Sequence, residues 1–591
     1  MRICKPSAGW TACWIVVVVA MGCTSGGREN APVGDAKKAT ADLILHNGKV
    51  VTVDNAFSIA RAVAVRQGRI VAVGADDAVM AMKGPSTTVV DLHGRTLIPG
   101  LIDSHVHPGA AMTEFDHDVP EMESVEDVLD YVRKRAAAVG PGKWVQVSQV
   151  FITRLKEPRY PTRAELDTAA PDNPVIFSTG PDASLNSLAM KLSGIDRNFK
   201  VTDGGPGYAE KDAASGEPTG ILRSCTRYVK VQDADRKASD ADTYRRTLAL
   251  FHDYNSVGLT SICDRSSSPA ALDRYKRMLD AGELCVRVSA SYHVDHIGTL
   301  DSIEKRIRAV ASHPLRAENP MLHIVGIKMF LDGGMLTGSA YMRQPWGVSK
   351  TYGITDPNYR GVLFIPRERL LPIVRTTIES GLQFTAHSVG DGAVHTLLSV
   401  YDEVNRTTPV APTRPCVTHS NFMSREAVDQ AARLGAVVDI QPVWLWLDTR
   451  TLAGQFGYDR LRYFQPLRSL FDAGVIAGGG SDHMQKIGSL RSINPYNPFL
   501  GMYVTVTRHA RWYDRPLHPE EAISRQEALR FYTINNAYLL FKEKEVGSIE
   551  VGKFADLAVL DRDLLTCPVE QMKDTQALET YLGGKRVFKR E

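Results

Sequence analysis

Between residues 97 and 545, short apolar runs alternate with longer amphipathic ones, and they do so eight times. The apolar runs lie at 101–105, 259–263, 286–292, 324–329, 383–387, 416–419, 436–440 and 475–479. They are short and rich in Val, Ile, Leu and Ala, as fully buried strands are. Segments with helical spacing separate them, for example 242–255, 268–281, 367–380, 393–405 and 424–434. Eight strands alternating with helices predict an α/β fold, a (β/α)8 TIM-type barrel. An open doubly wound sheet is the other solution, but the chain lacks the Gly-rich first turn such sheets use.

One interval is anomalous. The first two strands lie about 150 residues apart, where a single βα unit takes a few tens. Residues 110–225 are therefore expected as a lid insertion, with strand-like 144–147 and 175–177 and helix-like 124–139 and 163–169. The chain ends read differently from the barrel. Residues 42–53 suggest a hairpin turning at Asn47-Gly48, and 62–74 suggest a second. Short β elements return at 546–561 and 580–588, so 41–96 and 546–591 are expected to pair into one small β-sandwich domain beside the 97–545 barrel.

The first 23 residues stand apart. Arg2 and Lys5 precede the apolar run Trp14–Met21, which is too short to span a bilayer comfortably. Gly22-Cys23 and a polar linker to residue 40 follow, resembling a bacterial lipoprotein signal with Cys23 as the lipidated residue. Ala20 stands where Leu is usual, so plain cleavage and secretion is the alternative, and a simple membrane anchor a third. The reading is an exported protein of the bacterial cell envelope, facing the periplasm or exterior, with membrane contact only through its lipid. A net charge of +3 over 591 residues, without a Lys/Arg run, argues against nucleic-acid binding. After Cys23 only Cys225, Cys263, Cys285, Cys416 and Cys567 remain. Their odd number and lack of a CxxC indicate neither a disulfide framework nor a thiolate zinc site.

The chemistry-bearing residues fall at strand ends, where barrel enzymes place their sites. The first strand ends in His105-Val106-His107, and two residues apart on a strand share one face. The fourth carries Lys328, the fifth ends in His387 and the sixth in His419. Ser481-Asp482-His483 follows the eighth. Each has a structural reading of its own: a hydrogen-bonded histidine, a snorkelling lysine or a helix-capping aspartate. Their convergence on one rim is what suggests a metal site.

At this point the chain resembles the amidohydrolase superfamily, in its YtcJ-like, N-substituted formamide deformylase-like branch (amidohydrolase family 3). The matching stretches are Pro99-Gly100-Leu101-Ile102-Asp103-Ser104-His105-Val106-His107, Gly216-Glu217-Pro218-Thr219-Gly220-Ile221-Leu222-Arg223, Ile327-Lys328-Met329-Phe330-Leu331-Asp332-Gly333, Ala386-His387-Ser388-Val389-Gly390-Asp391, Thr418-His419 and Gly480-Ser481-Asp482. The run from Gly547 to Leu557 is also typical. The resemblance implies His105, His107, His387 and His419 as metal ligands, a carboxylated Lys328 bridging two metals, and Asp482 as ligand and acid/base. Zinc suits such a donor set, with one or two ions, and another divalent metal is compatible. The implied reaction is cleavage of the C–N bond of a small amide or cyclic amide by a metal-activated hydroxide.

The lid departs from the family pattern. Where relatives carry Asp-Gly-His-Ser, this chain reads Thr179-Gly180-Pro181-Asp182, retaining Asn186-Ser187. Pro181 cannot supply a side-chain hydrogen bond, which weakens the inherited substrate more than the inherited chemistry. Asn186, Trp444 and Trp446 are candidate substrate contacts, the two tryptophans as an apolar wall or as core. Ester hydrolysis or isomerisation on the same site, and a non-catalytic envelope binding lipoprotein, are the rival functions. A homo-oligomer is compatible with the sequence.

Overall fold

The computed structural model describes residues 40–591 except 149, 180–181, 204–206, 233–236, 318 and 492. The signal segment, Cys23 and Pro181 lie outside the described residues. Eight parallel strands hydrogen-bond to one another in chain order. They are β1 (Leu101–Val106), β2 (Leu259–Ser267), β3 (Arg287–His293), β4 (Leu322–Phe330), β5 (Gln383–Ser388), β6 (Cys416–His419), β7 (Val437–Ile440) and β8 (Ala477–Gly479). Their runs are apolar because both faces are covered, by the barrel interior on one side and by helices on the other.

The β8–β1 seam is closed at both ends. At the C-terminal end Val106 bridges His483, the Asp482 N–H donates to the His105 carbonyl at 2.8 Å, and the His107 N–H donates to the His483 carbonyl at 2.8 Å. At the other end the Asn536 amide donates to the carbonyls of both Ile102 and Gly479, at 2.5 and 2.7 Å. Gly480 makes this closure possible, since a Cβ there would lie 2.7 Å from that of His105. The eight strands form a barrel.

The helices Asp240–Ser256, Pro269–Asp280, Leu300–Ala311 and Arg425–Leu434 each begin after a hydroxyl residue: Ser239, Ser268, Thr299 and Ser424. Each hydroxyl accepts from the backbone N–H three residues on, a cap that stabilises by about 1 kcal/mol. Between β1 and the first of these helices the chain builds a separate layer. Strands Val145–Val147, Val175–Thr179, Asp182–Leu185, Tyr208–Lys211 and Pro218–Arg223 form its sheet, and helices Val125–Val139, Arg163–Ala169 and Ser187–Ser193 pack with it. Its apolar side chains gather in two clusters of their own, one around Val128, Val132, Val147 and Phe177.

Strands from both chain ends share one six-stranded sheet, in which Thr96–Pro99 lies between Lys49–Val51 and Leu557–Leu560. A four-stranded sheet packs beside it through Leu43, Leu45, Val63 and Val65 against Leu557, Val559 and Tyr581. Arg287 of β3 forks onto the Asp556 carboxylate at 2.6 and 2.9 Å, tying the barrel to this region. The expected Asn47-Gly48 hairpin is not formed. Leu43–His46 pairs in the four-stranded sheet and Lys49–Val51 in the six-stranded one, so the chain crosses between layers there. Asn47 takes the positive φ (54°) a turn would need, but serves a sheet change. The 62–74 segment is a hairpin, Ala62–Arg66 against Arg69–Gly74.

The five cysteines beyond the N-terminal segment are free, and all but Cys567 are buried. No helix among the described residues is long and apolar enough to cross a membrane.

Candidate metal centre

β1 ends on a rigid pair. His105 is fully buried and His107 remains 23 % exposed at the side chain. The two Nε2 atoms stand 3.3 Å apart, and Asp482 Oδ1 lies 3.3 Å from the first and 3.0 Å from the second. Three acceptor atoms drawn this close repel one another unless a cation or proton sits among them. In a tetrahedral site with Zn–N bonds of 2.0–2.1 Å, neighbouring ligand atoms are about 3.3 Å apart. The three observed edges fit that spacing, so the donor set fits a metal.

The remaining histidines continue from this group. Ring centroids are separated by 5.1 Å from His107 to His105, 4.8 Å from His105 to His419, and 4.5 Å from His419 to His387. Lys328, 1 % exposed on β4, stands in register with His293 of β3 and Thr385 of β5. Burial pulls its amine down to about 8, against the opposing pull of Asp482 and Asp439. Burial also holds His105 and His419 well below the ordinary imidazole range and takes His387 to about 3, the charge of Lys328 adding to each. His105, His387 and His419 are therefore neutral, the form in which nitrogen binds a metal.

Their outer nitrogens are spoken for. His105 Nδ1 donates to Asp439 Oδ2 at 3.0 Å, and His419 Nδ1 donates to Gln441 Oε1 at 2.7 Å. A proton fixed on Nδ1 leaves the lone pair on Nε2, the arrangement in which protein groups orient metal-binding histidines. Asp439 is itself held by Ser104 Oγ (2.6 Å), Gln441 Nε2 (3.1 Å) and the wholly buried Arg265, whose Nε lies 3.4 Å away. Asp332 accepts the backbone N–H groups of Tyr341, Val389 and Gly390, and so fixes the loops flanking His387. Asn494 donates to the Asp482 carbonyl at 2.7 Å and to its Oδ2 at 3.3 Å. His419 and Asp482 lie in the left-handed region (φ 73° and 54°), backbone strain that the surrounding contacts must hold in place.

Residues 88–588 match the amidohydrolase family. The chain belongs to that family. It is 29% identical to N-substituted formamide deformylase of Arthrobacter pascens over 93% of this chain and 98% of the relative. It is 25% identical to the amidohydrolase YtcJ of Bacillus subtilis (strain 168), over 93% and 99%. These relatives place it in the YtcJ-like branch. An uncharacterized metal-dependent hydrolase from Pyrococcus horikoshii OT3 has the same fold, with a TM-score of 0.65 at 20% identity over 89% of this chain and 99% of the other. This amidohydrolase is a metal-dependent hydrolase.

Not every sequence candidate reaches the centre of the amidohydrolase. Trp444 does: its ring stacks on His419 at 4.9 Å and 11°, and its buried Nε1 has no hydrogen-bond partner among the described residues. Trp446 does not stack there. Residues 442–456 form a helix, so two positions along it turn the side chain by about 200°, and Trp446 packs on Tyr503 instead. Asn186 is corrected from substrate contact to structural group. Its Oδ1 accepts from Val175 and Ala189, capping the helix Ser187–Ser193, and its Nδ2 donates to the carbonyls of Ala170 and Asn173. No polar capacity is left for a ligand. Sequence reasoning missed Asp439, Gln441, Arg265 and Asn494. The signal for the first was an acid inside the apolar run Val437-Val438-Asp439-Ile440.

Proposed function

We propose that this amidohydrolase cleaves the C–N bond of a non-peptide amide or cyclic amide at the β1–β8 rim, with zinc as its metal. His105, His107, His387 and His419 would hold the metal through their imidazoles, Lys328 would add an anionic oxygen donor once carboxylated, and Asp482 would be a further ligand and the acid/base. The observation that carries the reading is the triangle of His105 Nε2, His107 Nε2 and Asp482 Oδ1, with edges of 3.3, 3.3 and 3.0 Å and the His105 proton fixed on the far nitrogen. The relative's C–N cleavage of formamides supports the bond type.

A bound divalent metal lowers the pKa of a water toward ~7 and polarises the substrate carbonyl. The protein does the rest. Lys328, with its amine near 8, holds a neutral fraction able to take up carbon dioxide and become an anionic oxygen donor. Asp482, fixed by Asn494, takes the proton of the attacking water and returns it to the leaving nitrogen. His105 and His419 keep their lone pairs inward through Asp439 and Gln441.

Metal analysis by inductively coupled plasma mass spectrometry on the full chain, purified without chelator, tests this. About two zinc ions per chain are expected for a binuclear site, falling in His105→Ala and in Lys328→Ala. Asp482→Asn is expected to lower amide hydrolysis by ~10³-fold, within the range for a lost acid/base. A protein that takes up no metal under any loading condition would overturn the reading.

A further inference from the structure

The two carboxylate oxygens of Asp482 face different neighbours. Oδ1 stands 3.3 and 3.0 Å from the Nε2 atoms of His105 and His107. Oδ2 accepts from Asn494 Nδ2 at 3.3 Å, and the same amide nitrogen donates to the Asp482 carbonyl at 2.7 Å. Asn494 stands in the chain between β8 and the helix Pro498–Thr507, where the described residues from Met484 to Asn497 form neither helix nor strand. Such a stretch holds a side chain in place only through contacts from outside it.

The contact comes from the lid. Arg154, at the end of the short helix Ile152–Arg154, donates through Nη1 to Asn494 Oδ1 at 2.8 Å and to the Ile493 carbonyl at 2.6 Å. Its Nε and Nη2 fork onto the Asp448 carboxylate at 2.8 and 2.7 Å, on the helix Pro442–Phe456 that follows β7. Arg154, Asp448 and Asn494 are 5, 1 and 2 % exposed, so water does not compete for these bonds. Chemistry fixes the order of groups along the chain. A guanidinium only donates, so the Asn494 atom that meets it is the amide oxygen, and the NH₂ is left facing Asp482. Arg154 thereby sets which way the amide is turned and, through Ile493, where its backbone lies.

We propose that Arg154 is a positioning residue for Asp482: seated on Asp448, it holds Asn494 with its NH₂ toward Oδ2 and so keeps the carboxylate oriented for proton transfer. The inference rests on the role given to Asp482 above. Arg154 bonds none of the proposed metal donors, and its effect passes through Asn494. The lid is then a working part of the catalytic site as well as its cover.

The test is a double-mutant cycle on the zinc-loaded full chain. Arg154→Lys keeps a cation beside Asp448, but a single ammonium in place of the fork cannot also serve Asn494 and Ile493. Arg154→Lys and Asn494→Ala are each expected to lower kcat for amide hydrolysis by ~10- to 100-fold, with KM and zinc content unchanged. The double variant is expected to be no slower than Asn494→Ala alone, because without the asparagine Arg154 has nothing to act on. Losses that multiply in the double variant, or an effect confined to KM, overturn the proposal. Should Arg154→Lys not fold, Arg154→Met combined with Asp448→Leu leaves no buried charge unpaired and takes its place, with the same expected outcomes. If the wild type hydrolyses no amide, the reaction assignment fails, and the linkage is judged by the visible absorption of the cobalt(II)-loaded protein. A spectrum altered alike in Arg154→Lys and Asn494→Ala supports the linkage to Asp482, and a wild-type spectrum in Arg154→Lys overturns it.

Discussion

Asp439→Asn is the most informative single change in the barrel. The two residues are nearly the same shape, so any effect comes from charge and proton placement. Asp439 Oδ2 accepts from His105 Nδ1 at 3.0 Å, while Oδ1 accepts from Ser104 at 2.6 Å and Gln441 Nε2 at 3.1 Å. An asparagine must put an NH₂ on one of these sides. Facing His105, it forces the imidazole proton onto Nε2 and removes the inward lone pair. Facing Gln441, it sets donor against donor. Loss of such an orienting group costs 10–100-fold in metal affinity, about 1.4–2.8 kcal/mol. The change also leaves Arg265 without its carboxylate, and both side chains are fully buried. Breaking a buried pair from one side costs about 3–5 kcal/mol. Zinc titration against a competing chelator measures the first effect and urea unfolding of the metal-free protein measures the second. Ser104→Ala is the control, with a stability loss of about 1 kcal/mol and unchanged metal affinity. Wild-type zinc affinity in Asp439→Asn would refute the argument that this carboxylate sets the His105 tautomer.

Asn186→Ala is expected to loosen the lid by at least the ~1 kcal/mol of a lost helix cap while leaving KM unchanged, as followed by limited proteolysis and steady-state kinetics. Asp556→Asn strips Arg287 of its forked partner between barrel and β domain; a loss of about 3–5 kcal/mol in urea unfolding is expected. His323, at the start of β4, is held down to about 3 by burial, ahead of the charge of Lys542. Below its ordinary value near 6.5 the unfolded chain binds a proton that the folded chain refuses, so this histidine removes stability as pH falls from about 6.5 toward 3. His323→Asn should reduce the slope of unfolding free energy against pH in that window by up to about 1.4 kcal/mol per pH unit, read from denaturant melts at stepped pH.

The barrel was legible because its signal is redundant. Eight apolar runs separated by capped amphipathic helices leave few other architectures, and the observed strands β1 to β8 cover the expected runs almost throughout. Lys328 stood out as a charge inside an apolar strand, and His105-Val106-His107 as a pair on one strand face. What failed was information the local pattern does not hold. Asn47-Gly48 has the backbone preference of a hairpin turn, yet which sheet each flanking strand joins is decided by partners far along the chain, Thr88–Asp91 and Thr96–Pro99. Trp444 and Trp446 looked equivalent until the segment proved helical and split them onto different faces. Arg265 carries no motif, and Asp439 showed only as an acid inside an apolar run. Their meaning comes only from meeting across the barrel.

That meeting divides the work among the strands. β1, β4, β5, β6 and the residues after β8 bring the proposed donors, β7 and the residue after it bring Asp439 and Gln441, which touch His105 and His419 from behind, and β2 brings Arg265, which holds Asp439. The division has an electrostatic reason. A cluster of imidazoles and an amine cannot be assembled in a dry barrel in protonated form, and burial already drives His105, His387 and His419 to neutrality. Burial works against a carboxylate in the same way and pushes Asp439 up to about 6, so it needs a cation to stay ionised. Arg265 supplies one that cannot lose its proton. A lysine in that place would be drawn toward the neutral amine by the same burial that lowers Lys328, and Asp439 would then lose its grip on the His105 proton. Arg265→Lys should therefore weaken zinc binding in the manner of Asp439→Asn although it conserves formal charge, and an Arg265→Lys protein with wild-type affinity would show that the guanidinium acts on packing alone.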